Sequence, residues 1–335
     1  MTNARHDVLG IGNAIVDILA RVEDDLLVSE GMAKGSMALI DEARATSLYG
    51  KLDAPVQISG GSAGNTVAGI ASLGARAAFI GKVRDDELGH VFTRDLRAVG
   101  VHYATPHATS GPATATSTIL VTPDGERTMN TFLGASQHLT ADDIDADLVR
   151  ASATIYLEGY LFDPPEAMTA FHRAAEIAHA ASRTTAITLS DSFCVSRHRA
   201  DFLDFIRSGK IDLVFANEHE AKALYETADF DTALDALRAD AKRAVVTRSE
   251  QGAVYISGSE TVAVPAHPVE RVIDATGAGD LFAAGVLTGF ARGSAPVEAL
   301  RLGALAASEC LSHMGPRPER SLAAWVAENG FAPAR

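Results

Sequence analysis

Asp274-Ala275-Thr276-Gly277-Ala278-Gly279-Asp280 is the stretch on which the reading of this chain turns. Residues 269–273 before it read as extended, and from Leu281 onward apolar side chains recur at helical spacing. The run therefore predicts a strand-to-helix junction. Small residues at 277–279 let a ligand approach the backbone, where the first amides of a helix point outward at the positive end of its dipole. Such a nest suits a phosphate. Asp280 would repel that anion unless it has a separate task, such as taking a proton from an attacking hydroxyl. The plainer reading is an ordinary helix with an acidic residue in its first turn.

Outward from this run, apolar segments at 8–12, 76–80, 154–158, 185–189, 213–216 and 244–247 read as buried strands. Helical patterns lie at 62–73, 87–98, 165–181, 198–208, 218–226, 230–240, 277–291 and 296–312. This alternation predicts a mostly parallel sheet covered by helices on both faces. Segments 15–40 and 112–133 break the rhythm, with strand signals but no long helix. Residues 114–121, the turn Pro123-Asp124-Gly125-Glu126 and a return arm over Arg127–Phe132 predict a hairpin. Short β segments set into an α/β core suggest a lid; an antiparallel extension of the main sheet is the alternative. With no repeat or linker, a single domain over 1–335 carrying these two insertions is expected.

Composition narrows the partners. A formal net charge of −14 argues against DNA, RNA or an acidic membrane surface and leaves room for a neutral or small anionic ligand. Cys194 and Cys310 are far apart and lack metal spacing, which points to a reducing cytoplasm rather than a disulfide framework. The polar opening at 1–7 has no secretory apolar segment after it, and the longest apolar stretch, 281–291, is too short to span a bilayer. A soluble cytoplasmic protein is expected.

A second glycine-rich run, Ser59-Gly60-Gly61-Ser62-Ala63-Gly64-Asn65, lies between a strand-like segment and a helix. It reads as a close backbone approach to a polar ligand, with Asn65 supplying a directional amide. Gly60-x-Ser62-x-Gly64 also matches the nucleophile elbow of a serine hydrolase, with His267 and His313 as candidate bases. Other signatures fail. No Gly-Lys pair is followed by Ser or Thr, Gly10-x-Gly12 lacks its third glycine, and Ala223 stands where a zinc protease beginning at His219-Glu220 needs histidine.

Taken in order, the two glycine runs, Gly12-Asn13-Ala14-Ile15-Val16-Asp17 and Asn217-Glu218-His219-Glu220 resemble the signatures of the ribokinase-like (PfkB) carbohydrate and nucleoside kinases over nearly the whole chain. Residues 34–40, Arg127–Phe132 and Tyr156-Leu157-Glu158-Gly159-Tyr160 are most similar to the bacterial adenosine kinases within that family. The resemblance implies a three-layer α/β/α fold with a mostly parallel sheet and a small β-strand lid. It implies transfer of the γ-phosphoryl of ATP to the 5′-hydroxyl of a nucleoside, adenosine foremost, with a ribose or fructose kinase as the alternative.

Its residue roles carry over as follows. Asp280 would be the base, and the amides of Gly277, Ala278 and Gly279 the anion hole. Asn13, Asp17, Gly60, Gly61 and Asn65 would hold the substrate, Asp17 accepting two hydrogen bonds from a vicinal diol. Met129, Phe132 and Tyr160 would line a base pocket, and Arg127 would meet phosphate as the lid closes. Asn217, Thr247, Arg248, Gly252, Ala304 and Ala307 would face ATP, although Ser249 replaces the glycine of the commoner Thr-x-Gly pattern. Glu220 and Asn217 would organise Mg²⁺, partly through water. A monovalent cation is a further candidate cofactor. The expected partners are a small substrate and ATP, in a monomer or a homodimer.

Overall fold

Fourteen strands occur in the computed structural model, which describes residues 4–331; residues 1–3 of the polar opening lie outside it. In chain order they are β1 His6–Ile11, β2 Ile15–Arg21, β3 Met37–Leu39, β4 Val56–Ser59, β5 Ala77–Ile80, β6 His102–Tyr103 and β7 Ala115–Val121. The rest are β8 Arg127–Phe132, β9 Ser152–Glu158, β10 Thr184–Thr188, β11 Leu213–Asn217, β12 Ala244–Thr247, β13 Ala253–Ser257 and β14 Glu260–Val264. Nine form one sheet in the order β14-β13-β12-β11-β10-β9-β1-β5-β6, parallel from β12 to β6, with an antiparallel β12-β13-β14 margin. All six main strands expected from sequence are present. Residues 269–273 depart from expectation: they are extended loop outside any sheet, tied to the body where the Ile273 N–H donates to Leu311 O.

Burial on both faces explains the apolar runs. Successive β1 side chains alternate across the sheet. Leu9 and Ile11 join a core with Phe162, Phe171, Phe202 and Phe205, while Val8 joins a second core with Phe79, Tyr156 and Phe282. Helices cover both faces, giving three layers. From β1 the chain steps to β5 and β6 on one side, then returns to place β9 on the other. The C-terminal ends of β1 and β9 thus flank a topological switch point, where open α/β sheets leave a crevice.

A smaller sheet runs β3-β8-β7-β2-β4. The expected hairpin is β7–β8, closed by the Val121–Arg127 pair and by Gly125 N–H donating to Thr122 O. The sheet draws on both segments 15–40 and 112–133 and takes β4 from 56–59. On one face Ala20 and Leu120 pack against Leu27 and Leu48 of the short helices Asp24–Ser29 and Glu42–Tyr49. Asp17, Ser117 and Thr131 lie in cross-strand register on the other face.

The helices Ala278–Ala291 and Pro296–Cys310 touch at glycine. A Cβ on Gly303 would lie 2.8 Å from Phe282 O, and one on Gly285 2.6 Å from Gly303 Cα. Gly303→Val should therefore cost about 1–3 kcal/mol by overpacking. Urea unfolding checks this; an unchanged midpoint would show that the helices can separate freely.

Candidate active site

Gly277 begins the helix Ala278–Ala291 in a left-handed conformation, φ 79°, and a Cβ there would lie 2.6 Å from Pro316 Cα. The turn aims the next backbone groups into open space. The N–H groups of Gly277, Gly279 and Asp280 find no acceptor among the described residues, whereas that of Ala278 donates to Ala275 O at 3.2 Å. A Cβ on Gly279 would meet nothing within 4 Å.

Asp280 stands in this first turn, facing the helix Ser62–Ser72. Ser62 Oγ donates to Asp280 Oδ1 at 2.6 Å and Asn65 Nδ2 to Oδ2 at 3.1 Å. Burial pushes the Asp280 carboxyl up to about 6, against the pull of these two donors and of Arg317. Behind Asn65, Arg317 Nε donates to Asn65 Oδ1 at 2.8 Å and Nη2 to Ser59 O at 2.8 Å. The Asn65 amide is thereby oriented with its nitrogen toward Asp280. Ser62 itself finds a carboxylate rather than a histidine, and its backbone lacks the positive φ of a strained elbow. The hydrolase pattern is absent.

Asp17 lies beyond β1, within β2. Its carboxylate is buried and receives no hydrogen bond from any described residue. Loss of water raises it to about 7; Arg317 and Arg127 oppose the shift and Asp280 adds to it. Gly60 makes room for it, since a Cβ there would lie 2.3 Å from Asp17 Oδ2. Gly61, at φ 84°, passes equally close to Asn13 O.

Glu158, at the end of β9, was quoted in sequence only as part of a likeness, and the structure gives it a definite place. It accepts from Asn13 Nδ2 at 2.7 Å and from the Ala63 N–H at 2.8 Å, tying β9, the end of β1 and the start of the Ser62 helix together. Burial pushes it up to about 7. Asp274 is a second unanticipated anchor, in an ion pair with Arg127 of β8. Burial alone would raise the Asp274 carboxyl. The N–H of Gly315, the N–H and hydroxyl of Thr276 and the Arg127 charge outweigh burial and hold it below the usual range. Arg127 Nε and Nη2 remain buried without an acceptor.

A cavity of 840 Å³ extends from Ser62 and Asp280 past Asn217, Glu220, Thr247, Ser249 and Gly252 to an apolar wall that includes Ala304, Ala307 and Leu311. Asn217 caps its helix: its side chain accepts from the Glu220 N–H, and Glu220 accepts in return from the Asn217 N–H and Nδ2. Burial raises Glu220 to about 7. Ser249 takes the left-handed conformation, φ 50°, that the commoner glycine adopts freely. Arg248 is not brought to the cavity. Its Nε donates to Glu218 at 3.1 Å and its guanidinium lies over the Phe230 ring. Met129 shares the Asp17 face of the small sheet, Phe132 lies on the opposite face, and Tyr160 packs on the main core; none lines this cavity.

Partnerless amides, a half-buried carboxylate beside them and a cavity at a switch point define a phosphoryl-transfer class of site. The chain belongs to the pfkB family of carbohydrate kinases, whose sequence pattern matches residues 33–321. It has the ribokinase-like α/β fold. It is 54% identical to the adenosine kinase from Sinorhizobium meliloti, with TM-score 0.90 over 98% of this chain and 100% of that one. A probable sugar kinase from Rhizobium etli CFN 42 is 49% identical, with TM-score 0.91 over the same shares. Fructokinase-1 of Zea mays is 30% identical over 257 residues, 74% of this chain and 79% of its own. The protein is thus a kinase acting on a small molecule with ATP.

Two outcomes follow from the glycines and the acids. Gly279→Ala should fold normally yet lower kcat/KM by about 10²-fold, whereas Gly277→Ala should lose about 1–3 kcal/mol of stability; activity assays and urea unfolding separate the two. In the ligand-free chain Asp17, Glu158, Glu220 and Asp280 bind protons more tightly folded than unfolded. Stability should therefore fall as pH rises from the unfolded carboxyl range through about 6 to 7. His6 and His172, lowered first by burial, act in the opposite sense below their ordinary range. Comparison with Asp17→Asn removes their contribution: the variant should show a shallower loss of stability over this window, and an equal slope would refute the Asp17 shift.

Proposed function

We propose that the chain transfers the γ-phosphoryl group of ATP to the 5′-hydroxyl of a nucleoside, adenosine foremost, producing AMP and ADP. One observation carries the reading: the Asp280 carboxylate lies within one turn of the partnerless Gly277 and Gly279 amides, in the lining of the cavity. Asp280 accepts the hydroxyl proton as that oxygen bonds to the γ-phosphorus. The bond to the β–γ bridging oxygen breaks, and the electron pair leaves with ADP. The Gly277 and Gly279 amides stabilise charge on the transferring group. The Ala278 amide joins them only if its turn to Ala275 opens. Ser62 and Asn65 position Asp280.

Asp17 is the residue that most needs a ligand. A buried acceptor without a donor is costly, and the two hydroxyls of a ribose would supply what it lacks. Asn13, Gly60, Gly61 and Asn65 surround that place. The small sheet acts as a lid, with Met129 toward the substrate, and the spare Arg127 donors meet phosphate. The 840 Å³ cavity is of the right order for a nucleotide. Thr247, Ser249 and Gly252 would lie along it, with the base against Ala304 and Ala307. Both Glu220 oxygens already accept from Asn217, so this pair fits Mg²⁺ held through water rather than directly. Mg²⁺ would neutralise charge on the phosphates. No described helix is long and apolar enough to cross a membrane, and both cysteines are free and buried, which supports a cytoplasmic setting.

Likeness to the Sinorhizobium meliloti adenosine kinase favours a nucleoside, while the fructokinase likeness keeps a sugar as the second reading. A coupled assay of ADP release over adenosine, other nucleosides, ribose and fructose decides between them: turnover with a free sugar and none with a nucleoside would overturn the first. Asp280→Asn should lower kcat by about 10²–10⁴-fold with substrate binding retained. In the wild type, activity should rise with pH through about 6, as Asp280 ionises. Undiminished turnover in the variant would sink the mechanism.

A further inference from the structure

Away from the cavity, three side chains with metal-ligating atoms converge beside the helix Glu87–Ala98. Asp85, His90 and His107 each present one such atom, all within 4.8 Å of one another. His90 Nε2 lies 3.3 Å from Asp85 Oδ1, and His107 Nδ1 lies 3.8 Å from the same oxygen. The backbone holds them in place. The Asp85 N–H donates to Ala108 O, the Ala108 N–H donates to Val83 O, and Asp86 caps the helix that bears His90 by accepting from the Gly89 N–H at 2.8 Å.

Thr93 determines which nitrogen of His107 faces this cluster as a lone pair. Its Oγ1 lies 2.8 Å from Gly89 O and 2.8 Å from His107 Nε2. A threonine hydroxyl has one hydrogen. Both contacts are hydrogen bonds only if Thr93 donates to Gly89 O and accepts from the His107 Nε2–H. In a neutral ring Nδ1 then has no hydrogen, and it faces a carboxylate oxygen that can only accept. Two acceptors so placed offer their lone pairs to a donor or a metal ion between them. A proton would need only one imidazole. Here the His90 ring stands beside that of His107, centroids 5.3 Å apart, with its own nitrogen directed at the same carboxylate.

We propose that Asp85, His90 and His107 bind a divalent transition ion of the zinc class, with water as the fourth ligand. Two imidazoles and one carboxylate are a recurrent zinc donor set, and a tetrahedral ion with ligands at 2.0 Å separates them by about 3.3 Å. The separations of 3.3 and 3.8 Å from Asp85 are near that value. The His90 side chain, 65% exposed, is free to turn the small remaining distance. Thr93 supplies the hydrogen bond that fixes a ligating imidazole through its far nitrogen. His107 belongs to the connection between β6 and β7, so the ion ties the segment entering the small sheet to the helix Glu87–Ala98.

Calorimetric titration of the chelator-treated full chain with ZnCl₂ tests this independently of kinase activity. One site is expected. His90→Ala and His107→Gln should each weaken it at least about tenfold, and Thr93→Val about 10- to 100-fold. Zinc should also slow hydrogen exchange over residues 104–114 in the wild type and not in His107→Gln. Absence of zinc binding, or binding unchanged in His90→Ala and His107→Gln, overturns the proposal. So does an NMR spectrum in which His107 stays doubly protonated with zinc present, the charge then being a proton. The exposure of His90 keeps loss of binding in His90→Ala from being a failure to fold.

Discussion

Removal of water from carboxylates at one end of the main sheet is the constraint around which the rest of the molecule is arranged. Asp17, Glu158 and Glu220 are buried there and Asp280 is half-buried, and loss of water is the largest cause of the upward shift in each. A buried charge is tolerated only with partners. Glu158 has the Asn13 amide and the Ala63 N–H, Glu220 has Asn217, and Asp280 has Ser62 and Asn65. Asp17 has none. Arg317 provides the largest compensating charge effect, and burial lowers its own pKa as well. This stability cost at neutral pH belongs to function: the groups left unsatisfied are those that a substrate and ATP would satisfy.

Topology explains why the acids meet. β1 and β9 run parallel, and the strands that follow each go to opposite sides, so the space beyond their C-terminal ends is not filled by a crossover. Glu158 bridges that gap to Asn13. The Ser62–Asp280 contact joins positions 218 residues apart, and the glycines at 60, 61 and 277 allow three chain segments to pass closer than any side chain would permit. Rigidity behind these contacts comes from helices packed at Gly285 and Gly303, which fix the helix bearing Asp280.

The alternation of strands and helices was legible because each main strand is buried on both faces and helices such as Glu87–Ala98 have a strong period, although Ala278–Ala291 is buried nearly all round. Residues 269–273 misled because an apolar, β-prone segment need not find a sheet partner; here it lies along the cavity instead, and Val269 and Val272 line it. Arg248 misled because proximity in sequence to a loop glycine says nothing about direction, and Glu218 with Phe230 attracts its guanidinium elsewhere. Phe132 fell on the wrong face because the pleat alternates, and only the register with Thr116 reveals which side it takes. Ser62 was read as a rival nucleophile because its spacing alone hid its carboxylate partner. Glu158 had one readable signal, an acid closing an otherwise apolar strand. Arg317 had none, since a Gly-Pro-Arg-Pro turn carries no periodicity.

By itself the sequence determined the layered α/β architecture, the two glycine-rich turns and the place of Asp280 in the first turn of a helix, because local propensity, periodicity and backbone sterics act over short distances. Only tertiary structure decided which amides of the 274–280 run lack partners, that Asp17 is left without a donor, that Arg127 reaches Asp274, and that Asp85, His90 and His107 converge. These depend on long-range register and on exclusion of water, which arise when distant segments pack together and which no window of residues contains.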